Sequence, residues 1–188
     1  MKAYRVLSHD TAPSFEAVNA PDPQAGEIRV AIQACGLNFA DLLMVTGTYQ
    51  DTPSLPFTLG MEVAGEVDAV GDGVTGFAVG DRVAVFGGQG GLAQYGCFDA
   101  QRAVKLPEAM SMVDAAAFQI AYGTSHLALD HRARLDPGET LLVLGAAGGV
   151  GLTAVEIGKL MGATVVACAR GAEKLEVAKR AGADHLID

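Results

Sequence analysis

A glycine-rich turn between two short apolar runs constrains the fold of this chain more than any other stretch. The apolar run at residues 141–144 predicts a buried strand, and the sequence GAAGGVG follows it at residues 145–151. A helical apolar pattern then occupies residues 152–161, and a second apolar strand is predicted at residues 163–168. Strand, glycine turn, helix and strand in this order form the βαβ unit that holds a dinucleotide. The alternative is a glycine-rich turn in an ordinary α/β domain.

The small residues of this turn are the predicted contacts to the dinucleotide. They permit a sharp turn, close approach of the backbone to a pyrophosphate, and tight packing of the following helix. Backbone N–H groups and the helix dipole then face the anion. The predicted cofactor-binding residues here are Ala146, Gly148, Gly149, Val150 and Gly151. Because Ala146 stands where the motif begins with glycine, the flanking strands and helix carry much of this prediction.

Composition and charge argue against several classes of partner. The formal net charge of the 188 residues is −9, which disfavours binding to nucleic acid or to an anionic membrane. No apolar run is long enough to cross a bilayer, and Met1 leads directly into a strand-like pattern without a signal peptide. Three widely spaced cysteines favour reduced thiols. We therefore expect a cytoplasmic protein.

The first part of the chain, residues 1–125, has the pattern of a β domain. Short apolar runs alternate with glycine, proline and aspartate, a spacing typical of a compact, barrel-like β domain. Strands are predicted at residues 27–34, 61–70 and 81–86. A short helix is expected at residues 38–44, and a helical pattern covers residues 111–129 with an interruption at Gly123 and Thr124.

The second part, residues 126–188, contains only one half of a dinucleotide-binding sheet. After the βαβ unit, a helix is predicted at residues 173–180 and a third strand at residues 184–187. A dinucleotide needs two mononucleotide halves, and an open parallel sheet needs helices on both faces. We therefore expect the chain to be a fragment of a longer protein.

The chain resembles the medium-chain dehydrogenase/reductase superfamily, and specifically its zinc-independent quinone oxidoreductase branch. Five segments carry the resemblance in order: ACGLNFADLLMVTGTY at 34–49, LPFTLGMEVAGEV at 55–67, VGDRVAVF at 79–86, LVLGAAGGVG at 142–151 and KRAGADHLID at 179–188. The resemblance implies a GroES-like β-barrel catalytic domain at residues 1–125. It implies the first half of a Rossmann doubly wound parallel sheet at residues 126–188, truncated before the second half.

Three positions of the resemblance indicate that no metal is bound. Zinc-dependent relatives place a cysteine where Asn38 stands, a histidine where Met61 stands and a third ligand near Ile120. A catalytic zinc needs three protein ligands with nitrogen, sulfur or oxygen donors of suitable kind. Met61 and Ile120 cannot serve, and the segment that would hold a structural zinc, residues 87–97, has one cysteine.

The resemblance implies an NADPH:quinone reductase-like oxidoreductase, which transfers hydride to quinones or conjugated carbonyl compounds. Such acceptors are electron-poor enough to take hydride without a metal, because the cofactor carries the hard chemistry. The candidate catalytic residues, which match cleft residues of the family, are Asn38, Asp41 and Tyr49. Asn38 could donate an amide hydrogen bond to the acceptor, and Tyr49 could stack on it. The alternatives are that Asn38 caps the short helix, Asp41 faces water and Tyr49 anchors its loop. Glu62 is expected to have a structural hydrogen-bonding role.

The cofactor prediction of NADPH depends on the end of the second strand of the βαβ unit. NAD-specific relatives have an acidic residue there, where this chain has Ala169 followed by Arg170, with Lys174 one turn further. Two cations suit a 2′-phosphate, which arginine can bind in a bidentate manner. The alternative is a solvated basic helix start. Thr124 matches the position that contacts the nicotinamide end.

Two other functions are left open by the sequence. One is a non-catalytic NADP(H)-binding relative on the same fold, and the other is a truncated interaction module. For the reductase, we expect a small-molecule quinone or enone as the substrate and a homodimer as the full-length form. The truncated chain itself is expected to be inactive.

Overall fold

The structure, a computed structural model, describes all 188 residues and divides into two compact units. Unit 1 is Met1–Gln119 and unit 2 is Ile120–Asp188. The division predicted after residue 125 and the observed one both fall within a single helix, Gln119–His126. None of the helices is both long enough and apolar enough to span a membrane.

Unit 1 is built from eight strands in two antiparallel sheets. The five-stranded sheet has the order β7-β3-β5-β6-β8, and the three-stranded sheet has the order β2-β1-β4. The strands are β1 Lys2–Val6, β2 Ser14–Ala17, β3 Glu27–Gly36, β4 Phe57–Thr58, β5 Glu62–Val70, β6 Arg82–Phe86, β7 Tyr95–Asp99 and β8 Ala103–Lys105. The three predicted strands are confirmed as β3, β5 and β6.

Alternation along the strands produces the core of unit 1. Successive side chains of a strand point to opposite faces, so Ile28 and Val30 of β3 bury their side chains on one face of the sheet. Valines of β5 and β6 join them in one cluster: Val63, Val67, Val83 and Val85. The alternation therefore fixes the register of these strands, because a shift by one residue would expose every one of these side chains.

The predicted barrel is not closed by strand pairing. Strands β7 and β8 form the two ends of the five-stranded sheet, and the three-stranded sheet is separate. Single backbone bonds near residues 92–94 connect the two sheets, including one from the Tyr4 N–H to the Leu92 carbonyl at 2.8 Å. The spacing of the strands predicted a barrel-like domain, and spacing alone does not determine which strands pair.

Unit 1 contains two α-helices, and a third helix spans the boundary between the two units. They are α1 Phe39–Val45, α2 Met112–Ala116 and α3 Gln119–His126, and a π-helical segment continues α3 over Leu127–Ala133. The predicted interruption at Gly123 and Thr124 is wrong, because both residues lie inside α3. The break occurs at Ala117 instead, where the Ala117 N–H donates to the Asp114 carbonyl and ends α2.

Helix α2 ends there because its last residues pack tightly against the sheet. Ala115 and Ala116 are buried against Ala64 and Ala84. A Cβ atom placed on Gly36 of β3 would lie 2.5 Å from the Ala116 carbonyl oxygen, so the helix touches the strand backbone at this glycine. Tertiary packing, rather than the glycine of α3, therefore decides where the helical pattern is interrupted.

Unit 2 confirms the predicted βαβ unit. Its three parallel strands are β9 Thr140–Leu144, β10 Thr164–Cys168 and β11 His185–Ile187, in the order β11-β10-β9. Helices α4 Gly149–Leu160 and α5 Ala172–Arg180 connect them. The core is made of small and β-branched residues, among them Val143, Val155, Val165, Ala167 and Ala178.

Helix α4 begins three residues earlier than its apolar pattern predicts. Gly148 is its N-cap with an extended backbone, and Gly149 and Gly151 are helical. The glycines were expected to form the turn because glycine is a poor helix former. At residue 151 glycine is required, because the first turn of α4 packs directly on Gly145 and Ala146.

Candidate functional site

In unit 1, Asn38 caps helix α1 and also reaches the sheet. Its backbone is extended (φ −124°, ψ 154°), and its N–H donates to Asp41 Oδ2 at 2.8 Å. Its side-chain Nδ2 donates to Glu62 Oε1 at 2.9 Å. Glu62 is the first residue of β5 and is only 2% exposed. The capping alternative for Asn38 is therefore confirmed, while one N–H of its amide is held by a buried carboxylate.

Asp41 is a buried anchor between α1 and the loop that precedes β5. Its side chain is 6% exposed, Oδ2 accepts from the Asn38 N–H, and Oδ1 accepts from the Gly60 N–H at 3.1 Å. The alternative that Asp41 faces water is wrong. A carboxylate can be buried here because two backbone donors compensate for the loss of water.

The Cys35 thiol lies beside this pair of carboxylates. Burial, together with the negative charges of Asp41 and Glu62, raises its pKa to about 12. The thiolate, rather than the thiol, is the nucleophilic form of cysteine. Cys35 is therefore held in its protonated, unreactive form at neutral pH.

Tyr49 lines a cavity of about 500 Å³ in unit 1. Its backbone carbonyl accepts from the Thr52 N–H at 3.1 Å and from the Thr52 hydroxyl at 2.6 Å, so it also anchors its loop. Met61, which stands where zinc-dependent relatives have a histidine, lines the same cavity. Neither Asn38 nor Asp41 is among the residues that line it.

The cavity also includes residues that sequence reasoning missed. They are Asp51, Gln89 and Arg102, together with the apolar residues Met44, Pro53 and Phe86. The only sequence signal for Gln89 was the glycine-rich segment around it, and nothing in the sequence placed Arg102 there. No group of three or more histidine, cysteine, aspartate or glutamate side chains in the chain could hold a metal ion.

In unit 2, the glycine turn has the geometry of an anion-binding site. Gly145 has φ +66°, in the left-handed region that favours glycine. The Gly148 N–H donates to the Gly145 carbonyl at 3.0 Å, which closes the turn. The first N–H in α4 with a backbone acceptor is that of Leu152, which donates to Gly148 at 2.8 Å. The N–H groups of Gly149, Val150 and Gly151 are therefore the open donors at the helix start.

The space beside the glycines of the turn shows where a side chain is excluded and where a dinucleotide has room. A Cβ atom on Gly151 would overlap the Gly145 carbonyl oxygen and lie 2.9 Å from the Ala146 Cα, so only glycine lets α4 start here. A Cβ atom on Gly149 would meet no atom within 4 Å. Gly151 thus allows α4 to pack closely on the turn. Gly149 faces open space, and this arrangement suits a pyrophosphate.

Ala146 has a structural position in this turn. It is fully buried, and its N–H donates to the Cys168 carbonyl at 3.0 Å. That bond joins the turn to the carboxyl end of β10, so the Ala146 N–H is taken by protein. A direct contact from this N–H to a ligand, the simplest form of the predicted binding role, is therefore not supported.

The two predicted cations lie at the same edge of the parallel sheet as the glycine turn. Leu144 of β9 pairs with Cys168 of β10, so the turn after β9 and the residues after β10 are neighbours. Arg170 follows β10 by two residues, and Lys174 lies in the first turns of α5. Both side chains are exposed and neither forms an ion pair. Thr124 is exposed on α3.

Comparison with known proteins agrees with both units. The family model of the alcohol dehydrogenase GroES-like domain matches residues 24–108, and the zinc-binding dehydrogenase model matches residues 149–188. A quinone oxidoreductase-like protein 2 homolog of Nematostella vectensis is 44% identical over 164 residues, which are 86% of this chain and 45% of that protein. The chain spans about half the length of the curated relatives it matches.

Solved structures give the same result. The human synaptic vesicle membrane protein VAT-1 homolog-like protein superposes with a TM-score of 0.93 at 33% identity, covering 100% of this chain and 61% of that one. The quinone oxidoreductase of Thermus thermophilus, which was also solved in complex with NADPH, superposes with a TM-score of 0.89 at 36% identity. That match covers 99% of this chain and 59% of the other.

The fold and the glycine turn define a GroES-like domain followed by part of a Rossmann sheet that suits a nicotinamide cofactor. The chain belongs to the quinone oxidoreductase branch of the medium-chain dehydrogenase/reductase superfamily, whose N-terminal part it matches.

Proposed function

We propose that the protein is an NADPH-dependent, zinc-independent reductase that transfers hydride to quinones or conjugated carbonyl compounds. The observation that carries the proposal is the juxtaposition in unit 2 of three open helix N–H groups with the exposed, unpaired Arg170 and Lys174. The donors suit a pyrophosphate and the cations suit a 2′-phosphate. The solved NADPH complex of the Thermus thermophilus relative supports this choice of cofactor.

Residues of unit 1 support a reduction that needs no metal. The cavity beside Tyr49 contains Met61, and a thioether is a poor ligand for zinc where relatives use histidine. A bound nicotinamide would supply the hydride, and the protein would supply orientation and electrostatics.

We assign roles to the unit 1 residues on their contacts. Asn38 does not line the Tyr49 cavity, but it keeps a second amide N–H beyond the one held by Glu62, and we assign this N–H to the acceptor oxygen. Tyr49 lines the cavity, and we assign its ring to stacking on a flat acceptor. Asp41 is a positioning residue, because both of its oxygens hold backbone N–H groups around Asn38 and Gly60.

The first experiment compares nucleotides that differ only in the 2′-phosphate of the adenosine part that unit 2 would hold. Calorimetric titration with 2′,5′-ADP and with 5′-AMP is expected to show about tenfold or greater preference for 2′,5′-ADP, because a charge-assisted arginine contact to phosphate contributes about 1.5–3 kcal/mol. Arg170→Ala should abolish most of that preference. Arg180→Ala, which removes an exposed arginine at the end of α5, is the matched control and should preserve it. Equal binding of both nucleotides by the unmodified protein would contradict the NADPH assignment.

A second candidate function is favoured by one comparison. The solved structure of the human synaptic vesicle membrane protein VAT-1 homolog-like protein superposes with a TM-score of 0.93, compared with 0.89 for the quinone oxidoreductase of Thermus thermophilus. A non-catalytic NADP(H)-binding protein on the same fold is therefore the alternative. Quinone-dependent oxidation of NADPH by the full-length protein would support the reductase, and nucleotide binding without turnover of any quinone or enone would support the alternative.

A further inference from the structure

Two buried hydroxyl groups in unit 2 join helix α3 to the first turns of α4. Ser125 Oγ lies 2.8 Å from Thr153 Oγ1 and donates to the Val150 carbonyl at 2.9 Å. Thr153 Oγ1 is 3.0 Å from the Ala121 carbonyl, to which it can donate. The connection is therefore reciprocal, because each helix offers a side chain to a backbone carbonyl of the other.

The hydrogen of each hydroxyl has an acceptor within reach, since the Val150 carbonyl also lies 3.0 Å from Thr153 Oγ1. Each carries one hydrogen and can accept through its oxygen. If Ser125 donates to the Val150 carbonyl, Thr153 donates to the Ala121 carbonyl; if Ser125 instead donates to Thr153, the bond to Ala121 is kept. Both arrangements leave no buried donor without an acceptor, which is the condition under which such a cluster is stable.

A second polar contact lies one turn away on both helices. Tyr122 Oη donates to Glu156 Oε2 at 2.5 Å. Tyr122 precedes Ser125 by three residues and Glu156 follows Thr153 by three, so the two contacts lie along the same helix faces in antiparallel order. Hydrogen bonds are directional, whereas apolar contacts are not, so these two contacts fix the register between α3 and α4.

This register concerns the cofactor because each helix carries a predicted contact to it. Thr124 is the neighbour of Ser125 on α3, and Val150, whose carbonyl Ser125 holds, belongs to the open turn of α4. An apolar pair would fill the same space without burying two hydroxyls. The contribution of the hydroxyls is therefore to define the spacing between α3 and α4, not to fill the space between them.

We propose that the Ser125–Thr153 pair positions Thr124 relative to the glycine turn, so that a cofactor held at its pyrophosphate presents its nicotinamide end correctly. The inference rests on the NADPH binding proposed above. Ser125 and Thr153 act as positioning residues through Thr124 and Val150, and they touch no cofactor atom themselves.

The test compares NADPH with 2′,5′-ADP, which lacks the nicotinamide end. The double variant Ser125→Ala/Thr153→Val removes both hydroxyls at nearly constant volume. We expect its Kd for NADPH to rise about tenfold, in line with the loss of about one net hydrogen bond from Thr124 to the cofactor, while its Kd for 2′,5′-ADP stays within about twofold. Thr153→Ser keeps the hydroxyl and should restore the affinity for NADPH when Ser125 is present.

Two results would overturn the inference without contradicting the proposal that the protein binds NADPH. In one, the double variant binds NADPH and 2′,5′-ADP equally more weakly, which indicates a merely structural role. In the other, its affinity for both ligands is unchanged. If the unmodified protein binds neither NADPH nor 2′,5′-ADP, the NADPH proposal is refuted and this inference with it.

A ligand-free measurement accompanies the titrations. Amide hydrogen exchange in residues 121–126 and 149–153 should accelerate together in the double variant, with α5 unchanged, and acceleration in only one of the two segments would also overturn the inference.

Discussion

At the scale of single residues, the candidate site in unit 1 is a set of polar groups that hold one another in place. Asp41 accepts two backbone N–H groups, and Glu62 holds the amide of Asn38. The sequence identified all three residues through a resemblance. It could not show that Asp41 is buried, because a carboxylate three residues into a helix is ordinarily solvated.

Asp41→Ala should destabilise the protein strongly. The substitution leaves the N–H groups of Asn38 and Gly60 without their acceptor, and each buried unsatisfied donor costs about 1–3 kcal/mol. We therefore expect a loss of about 2–6 kcal/mol in the free energy of unfolding, measured in urea. Asp51→Ala, at an exposed position in the same unit, is the control and should change it by less than about 0.5 kcal/mol. Equal effects of the two substitutions would contradict the anchoring role.

The thiols of Cys35 and Cys97 should react slowly with alkylating agents. Burial raises the pKa of Cys35 to about 12 and that of Cys97 to about 11. At pH 8 the thiolate fraction of Cys35 is then about 10⁻⁴, compared with roughly a quarter for an ordinary cysteine. Mass spectrometry after a short iodoacetamide pulse should find both cysteines largely unmodified in the folded protein and modified in urea. Alkylation of folded Cys35 at the rate of a free thiol would refute this prediction.

At the scale of secondary-structure elements, glycines decide how closely α4 approaches the sheet. Gly151 allows the first turn of α4 to contact Gly145, and a Cβ atom on Gly158 would lie 2.5 Å from Leu141 Cδ2 of β9. These two glycines are seven residues apart and therefore lie on one face of the helix. The sequence predicted the elements but placed the start of α4 too late, since glycine is counted against a helix unless its packing is known.

Gly151→Ala and Gly149→Ala should have opposite effects on stability. The new methyl group at residue 151 would overlap the Gly145 carbonyl, and such overpacking costs about 1–3 kcal/mol. The methyl group at residue 149 meets open space in a helix, where alanine is favoured over glycine by up to about 1 kcal/mol. Chemical unfolding of both variants measures the difference, and a neutral Gly151→Ala would refute the close packing of turn and helix.

Asp184 should make unit 2 sensitive to acid. Its carboxylate binds Lys159 of α4 at 2.8 Å and accepts the Val165 N–H of β10 at 2.7 Å. The hydrogen bond from Lys159 lowers the pKa of Asp184 below its ordinary value, as does that from the Val165 N–H. A lowered pKa in the folded state adds stability that is present above the unfolded pKa near 4 and is lost as the pH falls through the folded value. Asp184→Asn should therefore reduce the difference in melting temperature between pH 7 and pH 3, and an unchanged difference would refute this linkage.

At the scale of the whole molecule, charge limits what the chain can bind. The net charge of −9 should prevent binding to DNA and to anionic lipid vesicles at physiological salt. Sedimentation with phosphatidylserine vesicles and retention on heparin are expected to be negligible. Strong, salt-sensitive retention by either would show a local basic surface that outweighs the total charge.

The sequence by itself indicated the class of the protein and the order of those elements that its patterns predicted. Alternation in β3, β5 and β6 predicted their strands, and the apolar runs around the glycine turn predicted the βαβ unit, because these patterns depend on burial of one face or of a whole strand. Asn38, Tyr49 and Arg170 were identified through local motifs and a resemblance.

Only the tertiary structure decided which side chains meet. It ended α2 at Ala117 through packing on the sheet, assigned the Ala146 N–H to β10, and buried Asp41 between two backbone donors. It also joined Ser125 to Thr153, residues separated by 28 positions in the chain. No local pattern encodes such contacts, because they depend on the distance between elements, which is set by how closely whole helices and sheets can pack.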